Sequence, residues 1–217
     1  MNLNAKLKPA IDTLLTIALL LLMSYELLGS TAHEFVGIVM FVLFVIHHIL
    51  NINWVKHLTK GKKTPIRIYQ NLIVLLVLIS FIGSIGSGII ISRHVFTFLN
   101  INSSWTANRI HMLSVYWGFV LMSLHLGLHF NLIMSAIKKH FPIKVKIILK
   151  AICIVLFAYG IFAFVKRDIA NYLFLKNQFF ILGDNENLLL YILDYIFIMF
   201  SFATLSYLFS VKLKRIR

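Results

Sequence analysis

Acidic residues are scarce in this chain of 217: seven Asp and Glu stand against 21 Lys and Arg, a formal net charge of +14. In a water-soluble protein that excess would point to nucleic acid. Here the charges fall almost entirely between and beyond long apolar runs, so a topological role explains them better and no nucleic-acid partner is expected. Cysteine is nearly absent. Cys153 is the only one, so no disulfide can form within the chain. There is no Cys-x-x-Cys-His, which excludes covalently attached c-type heme. His-Glu-x-x-His, zinc-ligand sets and Gly-x-Gly-x-x-Gly are missing too, so the chain carries no fingerprint for taking hydride from a nicotinamide. The apolar runs are continuous rather than alternating, which argues against strands. No loop or tail exceeds roughly a couple of dozen residues, leaving little for a soluble domain.

What is present is hydrophobicity. Apolar residues make up 60% of the chain and mean hydropathy is +0.89, against about 45–50% apolar in soluble domains. The sequence predicts an all-α, polytopic membrane helical bundle of about six transmembrane helices, near 9–28, 33–52, 70–92, 109–137, 147–165 and 188–211. Lys6 and Lys8 precede the apolar run 11–23, but Tyr25-Glu26 follow it without a clear small-x-small cleavage site. It therefore reads as a retained first span, with Pro9 in the first helical turn. Trp54 and Trp105 lie near expected interfaces.

The basic residues orient the chain. Lys6 and Lys8 precede span one, and Lys56, Lys60, Lys62, Lys63 and Arg67 lie between spans two and three. Lys138, Lys139, Lys144 and Lys146 separate spans four and five, and Lys212, Lys214, Arg215 and Arg217 end the sequence. The stretch 29–32 is uncharged, and 166–187 mixes both signs. All basic clusters share one side if both termini are cytoplasmic, which predicts a multi-pass protein of the inner (cytoplasmic) membrane. Spans two and four are then parallel.

Those two spans carry the histidines of interest. His33 and His47 are fourteen residues apart, as are His111 and His125. Fourteen helical residues return to within roughly 40° of the same face and climb about 21 Å. On parallel spans this makes an outer pair, His33 with His111, and an inner pair, His47 with His125, each matched in depth. Imidazole is a standard axial ligand of heme iron, and two of them fill both axial positions, favouring electron transfer. An intramembrane ionisable residue is a functional candidate in its own right, although a lone membrane histidine commonly just bonds a neighbouring helix.

His48 adjoins His47, and His129 follows His125 by one turn. Both are alternates at the inner level, or partners there of propionates, backbone or water. His57, His94 and His140 fall near expected ends or loops and read as solvated. A flat macrocycle needs small neighbours. Gly37 lies one turn below His33, Gly118 is on the His111 face, and Gly83, Gly86 and Gly88 mark span three with Ser84 and Ser87. Close helix packing through small residues explains these as well. Arg109 and Arg93 are candidate propionate partners or plain interfacial anchors. Tyr116, Trp117 and Phe119 read as packing and lipid contact.

The same residues resemble a family. His33-x-x-x-Gly37 with His47-His48-Ile49-Leu50-Asn51-x-x-Trp54, Ser87-Gly88-Ile89-x-x-Ser92, Arg109-Ile110-His111, Tyr116-Trp117-Gly118 and His125-Leu126-Gly127-Leu128-His129 look like the motifs of the flavinylation-associated cytochrome family of small bacterial membrane proteins. The match covers roughly 30–137. Asn51 and Trp54 are further apart than the family's tighter Asn-Trp, which keeps both His47 and His48 open as inner ligands. The resemblance implies b-type heme and a route for electrons across the membrane; with two bis-His hemes, the expected organisation is a four-helix heme-binding core at 1–140, followed at 141–217 by two additional transmembrane helices that the resemblance does not cover. It also implies electron delivery toward extracytoplasmic flavoproteins that carry covalent FMN.

The expected function is a diheme b-type membrane cytochrome, an electron-transfer component of an oxidoreductase system rather than a complete enzyme. Its partners would be the lipid bilayer and a redox partner protein, or quinone. The alternatives are a ferric-reductase-like or a dehydrogenase/hydrogenase cytochrome b subunit. From a different class come a non-redox membrane anchor and a transporter, for which Asp194 is the remaining candidate carboxylate.

Overall fold

The computed structural model describes residues 3–58, 60, 62–177 and 186–215. Arg217 and the segment 178–185 of the mixed-charge stretch lie outside them. The helices are α1 (Leu3–Leu22), α2 (Tyr25–Leu50), α3 (Ile52–Lys56), α4 (Pro65–Ile91), α5 (Trp105–His140), α6 (Ile143–Lys166), α7 (Ile169–Leu173) and α8 (Leu188–Arg215). Among the described residues there is no strand, so the all-α bundle read from the apolar runs is the fold. Five of these helices, α2, α4, α5, α6 and α8, are long and apolar enough to cross a membrane.

The expected sixth, the first span, needs correction. α1 covers Leu3–Leu22 rather than 9–28, and Pro9 lies inside it rather than in its first turn. Lys6, Lys8 and Asp12 put three charges into its twenty residues, which separates it from the five apolar helices. The chain turns at Met23 and Ser24, earlier than its hydropathy suggests, because a two-residue reversal leaves no polar gap in the sequence. The stretch 29–32, expected as a loop, is part of α2. The interruption there is conformational: Gly29 sits at φ 79°, ψ 165° inside α2, a backbone state that suits glycine and strains residues with a Cβ.

Elsewhere the ends follow local chemistry. Thr64 is extended and Pro65 opens α4, where a missing N–H costs nothing. The Ser104 hydroxyl accepts from the Ala107 N–H at 3.1 Å and caps α5. The mixed stretch after α6 is partly built: α7 packs inward, with Ile169, Tyr172 and Leu173 buried.

Contacts fix the relative directions. Gly83 meets Ser114 and Gly118 meets Ser80, so α4 and α5 are antiparallel. Phe119 meets Tyr195 and Gly127 meets Ala203, so α5 and α8 are parallel. Gly160 abuts Phe197 while Lys166 reaches Asp194, so α6 opposes α8. Asp12 reaches His47, so α1 opposes α2. These directions bring Lys8, the α2–α4 connection, the α5–α6 connection and the end of α8 to one end of the bundle, and with them the basic clusters. The matched charge pattern in the sequence thus reflects a shared end in space.

The core lies on α1, α5, α7 and α8. Ile11, Leu15, Ala18 and Leu19 form one buried stripe on α1 at the helical spacing of an inward face. They share a cluster with Phe119 and Val120 of α5 and Tyr191, Tyr195 and Ile198 of α8, so one core runs across residue 140. α2 stands apart from this block. It pairs closely with α1, while side chains carry its approach to α4 and α5, among them Phe44 stacked on Phe81 at 3.7 Å.

Candidate heme site between α2 and α5

Histidines from α2 and α5 face each other at two levels. At the level away from the basic end, the rings of His33 and His111 lie 6.2 Å apart at 73°. The pair arises because α2 and α5 are parallel and α2 is held off from α5. Toward the basic end, His47 and His48 on α2 lie at the level of His125 and His129 on α5. Here the ring contacts run within each helix, His47 to His48 at 5.5 Å and His125 to His129 at 5.3 Å. The parallel helices therefore bring histidines to a common level twice, fourteen residues apart, and at the first level the rings meet across the helices.

The protein orients one imidazole at each level. His111 Nδ1–H donates to the Ser84 carbonyl at 3.0 Å, with Ser87 Oγ at 3.2 Å. His47 Nδ1–H donates to Asp12 Oδ1 at 2.7 Å. In both rings the proton is committed to Nδ1, which leaves the Nε2 lone pair free. Metal-bound histidines are commonly held in this way by a carboxylate or carbonyl behind the ring. His48 Nδ1–H instead donates to Phe44 of its own helix at 2.9 Å.

The facing imidazoles differ. Among the described residues, buried Nδ1 of His33 and buried Nδ1 of His125 have no hydrogen-bond partner. An orphaned polar atom in an apolar surround is costly and asks for an explanation. His33 also touches Tyr25 edge-on at 5.1 Å, and the Leu22 carbonyl lies beside it. His129 is exposed.

The small residues divide between two roles. Gly118 rests against Ser80, and Gly83 admits Ser114, so both serve α4–α5 packing. Gly88 leaves room for the His111 ring, whose Cε1 would lie 3.4 Å from an added Cβ. Gly37 and Gly86 face open space. Gly127, from the His125 motif, lets the Ala203 carbonyl of α8 approach. Arg109 stacks on Trp105 with its guanidinium 4.4 Å from the ring centroid. Two helical residues separate it from His111 by about 200°, so it points away from that ring.

Sequence reasoning missed the acids that hold α2 in place. Asp12 stands in an apolar helix, which by itself signals a partner. Glu34 follows His33 and gathers the start of the α4–α5 connection: its carboxylate accepts from Ser92 Oγ and the N–H groups of Arg93, His94 and Val95 at 2.7–3.1 Å. His94, expected to be solvated, meets Ser30 Oγ at 3.0 Å and Thr31 Oγ1 at 3.2 Å through Nε2. These contacts pin α2 to the end of α4 immediately beside His33.

Asp194 is committed elsewhere. It accepts from Tyr159 and Lys166 at 2.7 and 2.9 Å and pairs with Arg167 at 2.7 Å. Arg167 also holds Glu186 at 2.9 Å. This network closes the end of α6 onto α8.

Two ligands per level fit a cofactor that brings four donors of its own. A bare ion needs more from the protein, and among the described residues no group of three or more His, Cys, Asp or Glu side chains could hold one. Two imidazoles bonded to one metal at about 2 Å each leave their ring centroids roughly 6 Å apart, close to the separation at the first level. No family model matches the sequence, no curated protein matches it, and no solved structure matches the fold.

Proposed function

We propose that this protein is a membrane cytochrome of the bis-histidine b type that carries electrons between the two ends of its bundle. The observation that carries this reading is the His33–His111 pair at 6.2 Å, with further histidines fourteen residues along the same two helices. His33 and His111 would hold one heme. The other would lie between His47 or His48 on α2 and His125 or His129 on α5. Asp12 favours His47, because it aims that ring as Ser84 aims His111, and the orphaned nitrogen favours His125. Each level then joins an imidazole oriented by another helix to one whose Nδ1 is orphaned. Heme held by these imidazoles would supply a one-electron carrier. The chain's own part is to fix the ligand tautomers, to keep the faces beside Gly37 and Gly88 clear, and to hold the levels about 21 Å apart along each helix.

The location and partners belong to the same proposal. The shared basic end supports a reading in which both termini lie in the cytoplasm of a bacterial inner membrane, which would make the His33 level extracytoplasmic. Resemblance to the flavinylation-associated cytochromes supports an FMN-bearing acceptor on that side, with quinone or another protein as donor.

Heme quantification on purified protein tests the reading. Wild type should hold two hemes per chain and give b-type bands in a reduced-minus-oxidised spectrum. His33→Ala and His111→Ala should each remove one heme, and His125→Ala the other. An absence of b-type bands in protein from heme-sufficient cells overturns the proposal, and one heme per wild-type chain overturns its two-level form.

A further inference from the structure

We propose that the basic end carries a site for one anionic phospholipid, built where the α3–α4 connection folds onto the first turns of α4. A hollow of about 360 Å³ lies there, lined by Lys63, Arg67 and Asn71 at its polar side and by Ile68, Leu72 and Leu75 at its apolar side. Its walls are tied together. The Asn71 side-chain amide donates to the Leu58 carbonyl at 3.1 Å, and the Arg67 guanidinium donates to the His57 carbonyl. That bond uses Nη2 of Arg67 and leaves guanidinium donors for a phosphate, whose oxygens match the fork.

Charge selects the ligand's sign. No Asp or Glu occurs between Glu34 and Asp168 in the sequence. Among the described residues neither Lys63 nor Arg67 pairs with a carboxylate, and Lys56, Lys60 and Lys62 stand in the same connection. The apolar wall selects a lipid over a free anion. Ile68, Leu72 and Leu75 continue along α4 into Ile79 and Ile82, and all five side chains are exposed. That stripe runs from the headgroup hollow into the depth of the span, where an acyl chain would lie. Basic pockets at this level of a membrane protein commonly take acidic lipid headgroups. The proposal does not rest on the heme reading and would survive its failure.

The test is lipid titration of the full chain in neutral detergent, read by native mass spectrometry and thermal unfolding. Phosphatidylglycerol should remain bound and raise the unfolding temperature, and phosphatidylcholine should do neither. Lys63→Gln/Arg67→Gln should weaken phosphatidylglycerol binding about thirtyfold, at roughly fivefold per charge near the surface. Lys63→Arg/Arg67→Lys should largely retain it. Lys212→Gln/Lys214→Gln, with the same change in charge at the same end, should cost less than about threefold. If the double glutamine variant fails to fold, Lys63→Gln alone, at an exposed position before α4, should cost about fivefold. Equal losses in the Lys63/Arg67 and Lys212/Lys214 variants would reduce the effect to general surface charge and overturn the site. Equal binding of phosphatidylcholine, or displacement of the lipid by inorganic phosphate alone, would overturn it as well.

Discussion

Asp12 and Glu34 show how single acids set up this site. Glu34 stands next to His33 and gathers four donors from the end of α4 and the connection after it, so the ring is delivered by a helix whose depth is fixed. Asp12 acts on a ring directly, accepting from His47 Nδ1 at 2.7 Å. A carboxylate behind a ligand imidazole makes it more basic and stabilises the higher charge on the metal. Asp12→Asn should therefore raise the midpoint potential of one heme by roughly 60 mV, a tenfold change for a one-electron couple, and leave the other unchanged. Potentiometric titration of the b-type bands measures this. If both potentials stay where they are, His47 is not the ligand, and His48, whose Nδ1 is held by Phe44, takes its place. The histidines were legible in the sequence because one fixed spacing recurs. Asp12 was not, because the partner of an isolated acid 35 residues away follows only from the α1–α2 reversal.

At the level of elements, the long apolar helices could be read directly and their internal joints could not. Hydropathy located α4, α5, α6 and α8 to within a few residues, since each is bounded by charge, Pro or a capping Ser. It misplaced the α1–α2 junction, where an unbroken apolar stretch hides a turn at Met23 and Ser24 and a kink at Gly29. Sequence alone left Gly83, Gly86 and Gly88 open to cofactor clearance or close packing, and the neighbours around each glycine now separate the two roles. Gly127 belongs to packing: a Cβ there would meet the Ala203 carbonyl and Ser206 Cβ of α8. Backbone cannot yield as a flexible side chain would, so Gly127→Ala should lower stability by about 1–3 kcal/mol. The expected readout is a lower unfolding temperature with heme stoichiometry and spectrum retained in the folded fraction. Loss of one heme at unchanged unfolding temperature would place Gly127 against the cofactor instead.

For the whole molecule, α1 decides the number of crossings. Its three charges exclude it from the five apolar helices, yet its contacts place it alongside α2 over the same depth. Asp12 meets His47 near one end, and the carbonyl of Met23 accepts from Tyr191 at the other. Ile11, Leu15, Ala18 and Leu19 are buried in the shared core, so α1 cannot swing into solvent without exposing them. Its twenty residues span about 30 Å, the thickness of the hydrocarbon layer. The charges are placed to permit this. Lys8 lies toward the basic end, where a long side chain reaches the interface, and Asp12 is paired with His47. We therefore expect six crossings, with α1 stabilised by its neighbours rather than by its own hydropathy. Cysteine labelling in a Cys153→Ser background checks it. A membrane-impermeant maleimide applied to intact cells from outside should label Asn102→Cys and should leave Lys8→Cys, Lys62→Cys and Lys212→Cys unlabelled until the membrane is opened. Labelling of Lys8→Cys in intact cells would separate the start of α1 from the other basic segments. It would put Asp12 and His47 at different depths and undo the inner level of the site.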